Sequence, residues 1–176
     1  METRSTIGRH GDPLSPAEYR RALAHFPTGV VVVAALPSDG PKGMTIGSFT
    51  SVSVEPLLVG FFPAVTSSSW PPIAAHGLFT VNILSHRQEN VCRALLAKGA
   101  NKFESLDWHE GPTGQPHIDG AVGWIDCSLE AVHEAGDHYI AVARVDGLSL
   151  GHSEDALVFW RGTYGSFVVS ELSSAG

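Results

Sequence analysis

Four short stretches of this sequence carry side chains that can bind a ligand without a catalytic carboxylate. MTIGSFTSVSVEP (residues 44–56) holds Thr45, Ser48, Thr50, Ser51 and Ser53 with no charge before Glu55. TSSSWPP (66–72) sets Ser67, Ser68 and Ser69 in a row ahead of a candidate helix. NKF (101–103) places the Lys102 ammonium beside the Phe103 ring, and GDH (136–138) puts the His138 imidazole in a turn. Hydroxyls donate to or accept from a polyol, and strand backbone N–H and C=O groups can address the edge of a flat heterocycle. A phosphate needs several donors and a cation, which the serines before a helix start and Lys102 can supply. The plainer reading is a Ser-rich surface loop, a solvated lysine and a histidine that finishes a turn. Composition alone favours the plainer one.

Other chemistries lack their signatures. The sequence has no GxGxxG and no GxxxxGK[ST], so neither a Rossmann site nor a phosphate loop is signalled. Its GxSxG match, GLSLG at 147–151, ends a strand-like run with no helix pattern after it, so a nucleophile elbow is not expected. Its nine histidines are scattered, with no HExxH, and no metal site is expected.

The chain of 176 residues is one domain's worth, 43% hydrophobic and only 16% charged. A charged share below the usual quarter suggests surface hidden in a homo-oligomer. The formal net charge of -7 argues against a nucleic-acid partner, because phosphate binding needs clustered Lys and Arg. No apolar run reaches the ~20 residues of a membrane helix, and the first residues show no signal-peptide apolar region. Cys92 and Cys127 lack CxxC spacing and read as small buried hydrophobes in a reducing cytoplasm.

These stretches need elements to position them. SPAEYRRALAHF opens a helix with Ser15 as N-cap, Pro16 first and Glu18 closing a capping box. Tyr19, Leu23 and Phe26 give it an apolar edge. GVVVVAAL (29–36) is apolar on both faces, hence a buried strand. The hydroxyl-rich stretch 44–56 reads as the next strand and LLVGFF (57–62) as a third. A short helix at PPIAAHG, a strand at LFTVNIL (78–84) and a helix begun by Ser85 and Gln88 follow. Residues 99–123 read as a long irregular excursion. WIDCSLEAVHEA and YIAVARVDGLSLG form a hairpin, and ALVFWRGTYGSF ends in a short strand. Roughly seven strands joined by short turns favour an antiparallel barrel with peripheral helices. Residues 1–14 are a lead-in, 15–170 the domain and 171–176 a tail.

HFPTGVVVV, GMTIGSFTSVSVEPLLVGFF, SSSWPPI, GLFTVNIL, NKF, GDHYIAVARV and LVFWRGTYGSF occur in this order over roughly residues 15–168. Together they resemble the flavin reductase-like family. The resemblance implies a mainly β fold, a split antiparallel β-barrel that binds FMN, in a homodimer with flavin near the interface. It implies reduction of FAD or FMN by NADH, with NADPH as the second candidate, and reduced flavin diffusing to a partner flavin-dependent monooxygenase. A flavin-binding barrel without free-flavin reductase activity, or a non-catalytic binding barrel, stays as the alternative. By the same resemblance Thr45, Ile46, Gly47 and Ser48 meet the isoalloxazine edge, largely through backbone. Thr50 and Ser51 face the ribityl chain, Ser67 and Ser68 the phosphate, and Lys102 and Phe103 complete that end. His138 stands on the nicotinamide side, and Tyr164 lies in a C-terminal element near the site. Ile46 and Gly47 replace the Ala and Asn common in the family, and a single proline follows Glu55 where two are common.

Overall fold

The computed structural model describes residues 13–96, 102–152 and 155–167. Helix α1 (Pro16–Leu23) starts as its sequence requires: the Glu18 N–H donates to Ser15 Oγ at 3.2 Å and the Ser15 N–H to Glu18 Oε2 at 2.9 Å. It stops at Leu23, and its apolar edge is not buried, since Tyr19, Leu23 and Phe26 are all exposed.

Strands β1 (Thr28–Gly29), β2 (Val31–Ala35), β3 (Lys42–Ile46), β4 (Thr50–Val54) and β5 (Leu57–Phe61) follow, then helix α2 (Trp70–His76), β6 (Leu78–Ile83) and helix α3 (Glu89–Leu96). Next come β7 (Trp108–Glu110), β8 (Pro116–Ile118), the long hairpin β9 (Gly123–Ala135) and β10 (His138–Leu150), and the closing hairpin β11 (Leu157–Trp160) and β12 (Thr163–Ser166). Seven strands form one antiparallel sheet in the order β3-β2-β6-β9-β10-β5-β4. The hydroxyl-rich stretch therefore makes two strands, not one. β3 pairs with β2 and β4 with β5, at opposite edges of the sheet. Residues 47–49 join them, and four peptide steps span at most about 14 Å. The sheet is thus curled until its edges nearly meet, yet they share no ladder, and the barrel is split along that seam.

β2 is buried on both faces, as its run of valines predicts. Val31 and Val33 face a barrel core with Phe61, Phe79 and Val81, into which α2 lowers Trp70 and Ile73. Val32 and Ala34 face a second core made with α3, Phe103 and Leu157. The excursion is more ordered than its Gly- and Pro-rich sequence suggests, for β7 and β8 form a short hairpin. Buried Asn82 on β6 holds it, donating from Nδ2 to the Pro116 carbonyl at 3.2 Å and accepting the Ile118 N–H at 2.6 Å. His117 Nε2 lies 3.0 Å from Asp126 Oδ1 on β9, which also accepts the Thr80 hydroxyl at 2.5 Å.

Candidate active site

β3 is an edge strand, so one side of its backbone has no strand beside it. Unpaired strand N–H and C=O groups are strong binding groups for anything that lies along them. Two cavities open there. The larger, a cleft of about 820 Å³, is lined by Thr45, Ile46, Gly47 and Ser48, faced by Asp137 and His138, and closed on its outer side by α1. The smaller, about 180 Å³, is lined by Lys42, Gly43, Ser68, Ser69 and Lys102.

Within the cleft, Thr45 does not aim its hydroxyl as its place in the motif suggests. It pairs with Val32, so alternation turns its side chain to the second core, where Oγ1 is buried without a hydrogen-bond partner. Its contribution to the cleft is backbone. Ile46 is a barrel-core residue and likewise offers main chain. Gly47 sits tight against β1, where a Cβ would stand 3.0 Å from Thr28 Oγ1, and it too offers only main chain to the cleft. Ser48 Oγ accepts the Phe62 N–H at 2.9 Å, which pins the seam and leaves its own O–H to donate. Thr50 and Ser51 lie exposed on β4 and line neither cavity.

His138 opens β10 on a turn that is stapled in place. The Val65 N–H donates to the Asp137 carbonyl at 3.0 Å and the Tyr139 N–H to the Pro63 carbonyl at 2.9 Å. His138 Nδ1 sits 2.8 Å from Asp137 Oδ1, which leaves Nε2 for the cleft. That hydrogen bond holds the Asp137 carboxyl below its ordinary range, and Arg20 on α1 adds to the effect.

The smaller cavity has the makings of an anion site. Lys102 Nζ donates to Ser69 Oγ at 3.3 Å, and Lys42 Nζ sits 3.0 Å from the exposed Asp39 carboxylate. Two ammonium groups and two hydroxyls converge, with no carboxylate in the lining among the described residues. The start of α2 adds little, because Pro71 and Pro72 carry no N–H. Ser67 is diverted, its Oγ accepting the Trp70 N–H at 3.3 Å, and it lines the cleft. The serines of the smaller cavity are therefore Ser68 and Ser69, where the sequence suggested Ser67 and Ser68. Phe103 is buried behind Gly43, and a Cβ on Gly43 would come within 2.8 Å of its ring. Phe103 thus backs the cavity and carries Lys102 into it.

Tyr164 stands apart. It packs on Phe159 at 5.1 Å between ring centroids and against Cys92, outside both cavities. Lys42 and Arg20 are basic lining residues that the sequence left unmarked. Lys42 had a readable signal, being a charge at the start of an otherwise uncharged strand. Arg20 had none, since every exposed helix carries arginines.

A family model described as "Flavin reductase like domain" matches residues 23–167. A flavin reductase of Pseudomonas putida is 46% identical over 155 residues, covering 88% of this chain and 91% of the relative. The reductase subunit of a flavin-dependent monooxygenase from Rhodococcus jostii is 40% identical over 153 residues, covering 87% and 78%. Among solved structures, an NADH:FAD oxidoreductase of Streptomyces globisporus, in complex with NAD and FAD fragments, superposes with a TM-score of 0.85 at 32% identity, covering 91% of this chain and 97% of that one.

Proposed function

The chain belongs to the flavin reductase-like family, and from that premise we propose that it transfers hydride from NADH to FAD or FMN and supplies the reduced flavin to a partner flavin-dependent monooxygenase. The observation that carries this reading is that one edge strand lines both cavities. Unpaired backbone at Thr45, Ile46, Gly47 and Ser48 suits the edge of a flat ring system. About 13 Å further along the strand, at ~3.3 Å per residue, Lys42 opens a pocket suited to phosphate. Gly43 serves the same pocket from behind, since a Cβ there would strike the Phe103 ring that backs it and carries Lys102.

Flavin and nicotinamide, once bound, supply the hydride acceptor and donor. The residues around them position and shield. The β3 backbone and the Ser48 hydroxyl place donors along one ring edge, where they favour the negative charge that reduction brings. His138, oriented by Asp137, faces the other side of the cleft and holds the nicotinamide. Lys42, Lys102, Ser68 and Ser69 take the phosphate. Holding both rings at contact distance removes most of the entropic barrier to transfer. No general acid or base is required, which accounts for a cleft with a single histidine–carboxylate pair.

We place the enzyme in the cytoplasm as a homodimer. Free, buried Cys92 and Cys127 suit a reducing compartment, and no described helix is long and apolar enough to cross a membrane. The test is to add NADH with FAD, FMN or riboflavin to the purified chain and follow NADH absorbance. Flavin-dependent oxidation well above the flavin-only rate is expected. Tight yellow colour without turnover would instead mark a flavoprotein with another role.

A further inference from the structure

The reading above assigns the two lysines to the flavin end and leaves the nicotinamide dinucleotide, with its doubly negative diphosphate, without a cation. The cleft has one. Helix α1 forms its outer wall through Tyr19, Arg20 and Leu23. This helix buries none of its residues in the core, so core packing does not explain where it lies. Its C-terminal end is held by the Arg161 N–H donating to the Ala24 carbonyl at 3.0 Å and by Trp160 Nε1 donating to the His25 carbonyl at 3.1 Å. Both anchors lie past the last turn, so the face towards the cleft is left to the cleft.

Arg20 is exposed and makes no ion pair or side-chain hydrogen bond among the described residues. By contrast Arg93 is bonded to Glu89 and Arg144 to Glu130. Its charge is nonetheless felt across the cleft at Asp137, the neighbour that orients His138. Arg20 and the candidate nicotinamide-side histidine therefore face one another across a space that one dinucleotide can bridge. Among the described residues no other Lys or Arg lines that cleft. A guanidinium presents paired donors that match phosphate oxygens.

We propose that Arg20 binds the diphosphate of the nicotinamide dinucleotide, so that α1 is the outer wall of the NADH site. The proposal rests on the reading of the cleft as the place where nicotinamide meets flavin. With this guanidinium engaged by the diphosphate, the described residues lining the cleft offer no second cation for a 2′-phosphate, which favours NADH as the donor.

Arg20→Gln tests it, with Arg20→Lys beside it and Arg21→Gln as a control on the same helix. For Arg20→Gln the KM for NADH should rise roughly tenfold, the equivalent of one charge-assisted hydrogen bond. kcat at saturating NADH and the KM for flavin should stay within about twofold of the parent protein. Added salt should raise the parent's KM for NADH and affect Arg20→Gln much less, because the screened charge is gone. Arg20→Lys should recover part of the affinity, Arg21→Gln should match the parent, and titration of NAD⁺ in a calorimeter should show the same order. An unchanged KM for NADH, an equal rise in the KM for flavin, the parent's salt response in Arg20→Gln, or a loss confined to NADPH would each overturn the assignment. A parent protein that oxidises no NADH in the presence of flavin would instead defeat the functional reading itself.

Discussion

At the scale of single residues, the site combines main chain that side chains leave accessible with a few charged groups set at its ends. His138 is the side chain whose geometry is most defined, with Nδ1 engaged by Asp137 at 2.8 Å and the ring half-exposed over the cleft. His138→Ala removes no buried contact, so thermal stability should be unchanged. kcat/KM for NADH should fall roughly tenfold as the nicotinamide loses its positioning partner, while flavin binding by fluorescence quenching stays near the parent value. Stopped-flow traces identical to the parent at both limiting and saturating NADH would remove His138 from the site. The hydroxyls tell a different story. The absence of charge in MTIGSFTSVS suggested a segment turned away from bulk water, which holds for the partly or fully buried Met44 to Ile46 but not for Thr50, Ser51 and Val52, which are exposed on β4. Thr45 looks into the second core and Ser48 ties the seam, because strand pairing and the break after Ile46 set orientation, and neither is encoded in residue type.

At the scale of elements, what was legible is what local patterning controls. The capping box of α1, the doubly buried β2 and the β9–β10 hairpin all follow from periodicity and turn chemistry. The division of 44–56 into β3 and β4 was hidden because Gly47, Ser48 and Phe49 continue the small-and-apolar rhythm without a proline or a charge. The order inside 99–123 was hidden for another reason: β7 and β8 are short strands held by partners far away in sequence. His117 is clamped between Asp126 at 3.0 Å and the Trp124 ring, stacked at 5.3 Å with 3° between planes. Asp126 in turn is buried and takes the Thr80 hydroxyl. Asp126→Ala should therefore strand both His117 and Thr80 without a partner, at a cost of about 2–3 kcal/mol. Urea unfolding should show that loss, and hydrogen exchange should show faster amide exchange at His117 and Ile118. Lys102, outside this hairpin but carried by the same excursion, gives the effect a functional readout in a raised KM for flavin. A midpoint equal to the parent's would mean that the hairpin is held by Asn82 alone.

At the scale of the whole molecule, a split barrel leaves surface that one chain does not cover. Leu148 and Leu150, near the end of β10, are 68% and 86% exposed, and Val52 and Val54 on the edge strand β4 are 52% and 81% exposed. Thr50 and Ser51 share that strand and reach neither cavity of their own chain. Scattered exposed leucines are ordinary, but apolar residues repeated at alternate positions of a strand form a patch suited to the proposed homodimer contact. The low charged share in the composition pointed the same way, although only the folded chain shows where the apolar surface lies. Two copies each carrying a formal charge of -7 repel one another, so association has to come from buried apolar area, and salt that screens the repulsion should strengthen it. Sedimentation at micromolar concentration should give the mass of a dimer, more fully so at high salt. The double variant Leu148→Glu/Leu150→Glu brings two carboxylates per chain into the contact and should sediment as a monomer with its far-ultraviolet circular dichroism unchanged. A parent protein that sediments as a monomer at all salt concentrations would leave these leucines as exposed surface and the site as the property of one chain.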